Sequence, residues 1–209
     1  MDDKGQMMPI GWKLSETIRG TRGCHIEAER RLLARSAQTS HANLYYGCWS
    51  AVLTLLTLDQ RFAGLGLPAA CFATTVALWA AYASAEKYEL RARDFYCSYL
   101  QLQDLWKEAE CAEALPSDNP VRTRVLDDVW GRYCQVLAST ENHTEEDYIN
   151  FLVAEYEKKT SGDATAQMTE RQRRKRLWFG TVRLLRWAAI YLLAPAILLF
   201  ASSIAAVFV

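Results

Sequence analysis

Three histidines, His25, His41 and His143, are the side chains in this sequence best suited to proton transfer or metal binding near neutral pH. Each stands apart from the others in the chain. His143 has Glu145 and Glu146 beside it, but a metal site needs further ligands at defined spacing, and a solvated turn accounts for the group as it stands. Cys24, Cys48, Cys71, Cys97, Cys111 and Cys134 form no C-x-x-C pair, and none has a histidine at zinc-ligand spacing. Cys48 and Cys71 lie inside apolar runs, where cysteine behaves as a small hydrophobe. All six read as unpaired thiols in a reducing compartment or in lipid. Asp127 and Asp128 are adjacent carboxylates, but neighbours on a helix do not share a face. No phosphate-binding glycine loop, nucleophile elbow or H-E-x-x-H motif is present. The expectation is therefore no enzyme, no cofactor and no metal.

The chain's organisation is more informative than its reactive groups. Its net charge is 0 and 23% of its residues are charged, but the charge is segregated. Glu86 to Lys159 is acidic overall, whereas Arg171 to Arg186 is basic and holds no acid. Three runs carry no acidic or basic side chain: 42–58, 62–85 and 187–209. A membrane crossing needs about 20 such residues. The first run is slightly short and opens on Tyr45, Tyr46 and Trp49, as interfacial aromatics do. Asp59, Gln60 and Arg61 alone interrupt the first two runs, so a tight antiparallel hairpin is expected. Gly64, Gly66 and Pro68 fall at its bend. The third run is apolar to the last residue, with Pro195 placed to kink it.

Arginines and lysines set the expected orientation. Five arginines precede the first run: Arg19, Arg22, Arg30, Arg31 and Arg35. Arg171, Arg173, Arg174, Lys175 and Arg176, with Arg183 and Arg186, precede the third. Arg61 alone marks the hairpin tip. The expected topology puts the N-terminus and residues 86–186 in the cytoplasm, and the tip and the C-terminus outside. The cluster at 171–176 is read as a topology determinant that also touches anionic lipid headgroups. Nothing beyond charge points to nucleic acid, so no direct nucleic-acid contact is expected.

These patterns divide the chain into an N-terminal cytoplasmic segment (1–41), a transmembrane hairpin (42–85), a cytoplasmic helical domain (86–159), a linker with a basic helix (160–186) and a C-terminal membrane helix (187–209). The expected fold is all-α. Residues 1–17 carry no periodic pattern and are expected to be loose, with a helix from about Cys24 that can run into the first crossing. The second crossing is expected to continue into water as a helix. There Tyr88, Ala92, Phe95, Tyr99, Leu102, Trp106 and Ala109 make one apolar stripe. Pro116 to Pro120 should end it, with Asn119 capping the next helix and Pro120 at its first position. Thr144 and Asp147 resemble a capping box for a further helix.

The crossings lack the ionisable groups that proton relays and ion pathways use. The second instead repeats small residues, Ala70, Ala73, Ala77, Ala81 and Ser84, which permit close helix contact in lipid. Such contact suits packing within one chain and between chains equally. With Phe95, Tyr99, Leu102 and Trp106, these residues form the candidate helix-packing or oligomer surface, and a homo-oligomer in a lipid bilayer is expected.

A charged helix, E-A-E-R-R-L-L-A-R, enters the tight hairpin, and A-E-K-Y-E-L-R-A-R-D-F-Y-C-S-Y-L-Q-L-Q-D-L-W leaves it. In this order of elements, over roughly residues 20–158, the chain resembles the SLATT family of bacterial two-transmembrane conflict effectors. It resembles the subgroup with an added C-terminal membrane helix. The resemblance implies an effector of the bacterial inner membrane, held silent until infection is sensed, that then forms a pore or disrupts the membrane and kills or arrests the cell. It also implies a genetic partner: a nucleotide-second-messenger synthase, a sensor or a reverse transcriptase. It implies no catalytic residue. The other reading is a membrane-anchored adaptor whose cytoplasmic helices recruit a signalling partner.

Overall fold

The computed structural model describes residues 13–159 and 169–207. Six α-helices follow one another: α1 (Leu14–Leu56), α2 (Gly66–Ala85), α3 (Tyr88–Glu113), α4 (Pro120–Ser139), α5 (Glu145–Lys159) and α6 (Glu170–Val207). A short 3-10 helix, Gln60–Leu65, precedes α2. No strand occurs among the described residues, so the fold is all-α as expected. The polar linker expected at 160–169 lies outside the described residues up to 168.

The chain forms two compact units. One comprises residues 1–31 and 91–169, the other 32–90 and 170–209. The first half of α1 thus folds with α3, α4 and α5. Leu14 and Ile18 of α1 meet Leu102, Leu105 and Ala109 of α3 and Val129, Tyr133 and Val136 of α4 in one buried core. The loose N-terminal segment expected as far as residue 17 gives way to helix from Leu14; residues 1–12 lie outside the described ones. The reason is a cap from far away in the chain. The Glu113 carboxylate, at the end of α3, accepts from the Ser15 amide at 3.1 Å and from its hydroxyl at 2.5 Å. A carboxylate there satisfies an orphan amide and complements the helix dipole.

The local signals farther along hold. Asn119 Oδ1 accepts from the Val121 amide at 2.9 Å, with Pro120 opening α4. Asp147 Oδ2 accepts from both the amide and the hydroxyl of Thr144 at 2.8 Å, ahead of α5. Each such cap contributes about 1 kcal/mol.

In the other unit, the second half of α1 and α2 form the hairpin. Leu53 packs on Ala69 and Phe72, flanked by Tyr45, Tyr46, Trp49 and Val76. The bend is longer than three residues, because Phe62 to Leu65 leave the apolar run to join the 3-10 helix. Asp59 starts that turn: its carboxylate accepts from the Arg61 amide and its carbonyl from the Phe62 amide, both at 2.9 Å. The expected continuous helix beyond the second crossing is interrupted. Lys87 sits at φ 48°, the only non-glycine residue with positive φ among the described residues, and separates α2 from α3. A left-handed lysine costs about 1–2 kcal/mol.

Gly23 marks a close approach within the first unit. A Cβ there would lie 2.2 Å from Cδ2 of Phe151 on α5, whereas one at Gly20 would meet nothing within 4 Å. Gly23→Ala is therefore expected to lower unfolding stability by about 1–3 kcal/mol through overpacking. Gly20→Ala should raise it by up to about 1 kcal/mol through helix propensity. Urea unfolding of the detergent-solubilised chain, followed by circular dichroism, checks the contrast.

Candidate functional site

The first unit is locked by polar groups in its interior. His25, on α1, is 1% exposed, and its Nδ1 lies 2.8 Å from the Ser98 hydroxyl of α3. Its ring meets Phe95 edge-on at 5.2 Å and lies 6.1 Å from the ring of His143. Burial lowers the His25 pKa from 6.5 to about 4; His143 adds to that effect and Asp147 opposes it. His25 is thus neutral at physiological pH. The adjacent Cys24 thiol is also buried and is pushed up to about 12, first by burial and then by the charges of Asp147 and Glu27. A thiol that stays protonated is a poor nucleophile.

Asp147 is fully buried and receives Arg31 through two hydrogen bonds, Nε at 2.7 Å and Nη2 at 3.0 Å. The two bonds from Thr144 complete the carboxylate's shell. One side chain therefore caps α5 and ties it to α1. A buried ion pair gains little over an apolar one, but removing one partner costs about 3–5 kcal/mol, so the arrangement fixes register more than it adds stability. Arg19 pairs with Glu155 of α5, and Arg22 lies over the Trp106 ring at 5.4 Å. Sequence reasoning missed this joint, since its members are 116 residues apart in one pair and 73 in another. The arginines assigned there to topology include three, Arg19, Arg22 and Arg31, with partners inside the bundle.

The candidate packing residues divide into two sets. Phe95 and Leu102 are buried inside the first unit, with Trp106 packed against the same core as Leu102, and Tyr99 is half-buried. The α3 stripe is thus occupied by the chain's own helices, with Ser98 and Leu105 also in the buried face. On α2 the opposite holds. Ala69, Phe72 and Ala83 turn inward, whereas Ala70, Ala77, Ala81 and Ser84 are exposed and Ala73 is half-buried. Around them Leu67, Leu78, Trp79 and Tyr82 are exposed too. Of the basic cluster, Arg173 and Arg174 are exposed on the first turns of α6, with Arg173 3.8 Å from Glu170. The Arg171 side chain lies outside the described residues, and Lys175 and Arg176 are half-buried.

Among the described residues, one helical run, Gly66–Glu113, includes a stretch long and apolar enough to cross a membrane, and 11% of that stretch is buried inside the chain. No group of three or more metal-ligating side chains occurs among those residues. The model of the SMODS and SLOG-associating 2TM effector domain family 5 matches residues 12–207. The chain belongs to this SLATT family. No curated protein and no solved structure matches it.

Membership identifies the chain with a transmembrane effector domain of conflict systems. The match also runs through the buried joint and through α6, so both lie within the domain.

Because the SLATT chain holds His25 neutral, its first unit should be acid-sensitive. Between about pH 6.5 and 4 the unfolded chain takes up a proton at His25 that the folded chain refuses. Stability is fully present above that window and falls as the pH drops through it, by roughly 3 kcal/mol in all. Urea unfolding at pH 7 and pH 4.5 should show the loss, and His25→Gln should reduce the pH slope. An unchanged slope in the variant contradicts the assignment.

Proposed function

We propose that this SLATT chain is a multi-pass effector of the bacterial inner membrane that associates with copies of itself and makes the membrane leaky. The observation that carries the reading is the two-sidedness of α2. One face packs Ala69, Phe72 and Ala83 within the chain, while Ala70, Ala77, Ala81 and Ser84 present a small-residue stripe that the chain leaves open. Small residues let helix backbones approach closely in lipid. The crossings carry no charged side chain, so a single copy offers no ion path. Several copies joined through α2 could part the bilayer or line an opening.

In this reading the second half of α1, α2 and the C-terminal part of α6 cross the membrane, with the first unit cytoplasmic and the C-terminus outside. Tyr45, near the start of the first apolar run, meets Tyr191, near the start of the third, with ring centroids 5.3 Å apart. Tyr191 stacks on Trp187 at 5.7 Å. Contact between the beginnings of both runs fits entry from one side, at the level that interfacial aromatics favour. A nucleotide-second-messenger synthase, a sensor or a reverse transcriptase is the expected class of genetic partner, and infection the expected trigger. The adaptor reading draws on Tyr96, Leu100 and Trp130, which are exposed on the first unit and could receive a partner.

Ala77→Leu should thicken the open stripe and weaken association by ~1–2 kcal/mol per contact, about a tenfold loss of leak at limiting expression. Leu78→Ala, an exposed position off the stripe, should leave the leak unchanged. Membrane-potential dye recordings in expressing cells read both. If the first unit fused to an unrelated anchor keeps full activity, the adaptor reading replaces this one.

A further inference from the structure

The Ser, Thr and Asn side chains of the first apolar run stand on one line along α1. Ser40, Asn43, Gly47, Ser50, Thr54 and Thr57 follow at alternating steps of three and four, and no Ser, Thr, Asn or Gln of 42–58 lies off that line. Leu53, packed on Ala69 and Phe72 of α2, lies to one side of it. Tyr45, which meets Tyr191 of α6, lies farther round the helix. The line itself is open. Ser40, Gly47 and Thr54 are exposed, Asn43, Ser50 and Thr57 are half-buried, and a Cβ at Gly47 would meet nothing within 4 Å. The line reaches back to Ser36, and there it stands across a groove from Ala80 and Ser84 of α2. The line on α1 and the open stripe on α2 therefore share one side of the hairpin.

Hydroxyls inside an apolar run need partners. Thr54 donates to the Ser50 carbonyl at 2.9 Å and Thr57 to the Thr54 carbonyl at 2.7 Å, each within its own segment. Such bonds let the line stand in lipid without a neighbour. They use the proton of each hydroxyl and leave its oxygen able to accept from water. This face of α1 thus tolerates lipid and water alike, whereas Leu44 and Leu55, exposed elsewhere on the helix, suit lipid alone. The spacing adds a geometry. Steps of three and four average ~3.5 residues, short of the ~3.6 of a straight helix. Such a line drifts around a straight helix, but it stays toward a common axis when several helices wind left-handedly about that axis. From Ser36 to Thr57 the repeat holds over three heptads. No charged side chain stands on it, so a path lined this way sorts ions by size rather than by sign.

We propose that in the assembled effector each α1 turns the line from Ser40 to Thr57 toward a shared axis, where it lines a path for water and small ions of either sign. The α2 stripe, on the same side of the hairpin, joins neighbouring copies beside that path. The proposal rests on the effector reading and deepens it, naming the helix that lines the opening and the solutes that pass.

Thiol modification during leak tests the lining. Cells expressing the full chain are treated with a charged, water-soluble methanethiosulfonate and followed with a membrane-potential dye. Cys48 lies off the α1 line and Cys71 off the α2 stripe, so the unaltered chain should keep its leak. Ser50→Cys and Thr54→Cys put a thiol where a hydroxyl stood. Both should leak before treatment, which shows that they fold and assemble, and modification should remove most of that leak. Leu55→Cys, at an exposed position off the line, should keep its leak throughout. Leak that survives modification in both Ser50→Cys and Thr54→Cys overturns the lining and leaves the effector reading standing. Block of Leu55→Cys as complete as that of Thr54→Cys does the same. An unaltered chain that carries no leak fails the effector reading, and the lining with it.

Discussion

Apolar surface must be covered by something other than water, and in this chain a large share of it is not covered by protein. Leu44, Leu55, Leu58, Leu67, Leu78 and Leu192 of the second unit are all well exposed. Each would gain about 1.5–3 kcal/mol on leaving water. In the membrane reading proposed above, lipid supplies that gain, and much else follows from it. Backbone groups in lipid must be satisfied within each helix, hence uninterrupted helices with breaks only at their polar ends. Side chains there need not interlock to exclude water, hence an α2 whose small residues can stay open. Polar features are displaced to the boundaries: the Asp59 turn at one end of the hairpin, and Asn43, Lys87 and Glu89 at the other.

The first unit is held together differently. It is a small bundle, and its core of Leu14, Ile18, Leu102 and Val129 is modest. Apolar packing alone leaves the sliding of one helix along another weakly specified. The buried His25–Ser98 contact and the Asp147 carboxylate, shared by Arg31 and Thr144, each have one arrangement that leaves no polar group unpaired. Gly23 under the Phe151 ring adds a steric stop. Together they hold the N-terminal half of the same helix whose other half enters the hairpin.

The sequence made the helices, the apolar hairpin, the Asn119 and Thr144 caps and the family legible, because periodicity, capping residues and uncharged length are local properties. It did not reveal the start of α1 at Leu14, whose cap is Glu113 from another helix. Nor did it reveal the left-handed Lys87, since lysine carries no signal for positive φ. Small-residue spacing marked Ala70, Ala77 and Ala81, but period alone could not tell that Phe95 and Leu102 face the chain's own core. The polar joint was illegible because buried pairs distant in sequence leave no local trace; His25 looked isolated only along the chain.

The distribution of cysteines offers the most direct measurement of the central claim. Cys48 and Cys71 are exposed on the second unit, and Cys97, Cys111 and Cys134 on the first. A water-soluble maleimide, applied to membranes open to buffer on both faces and read by peptide mass spectrometry, compares them within one chain. If lipid covers the second unit, Cys97, Cys111 and Cys134 react while Cys48 and Cys71 stay protected. Labelling of Cys48 and Cys71 at the rate of Cys97 in intact membranes would contradict the account.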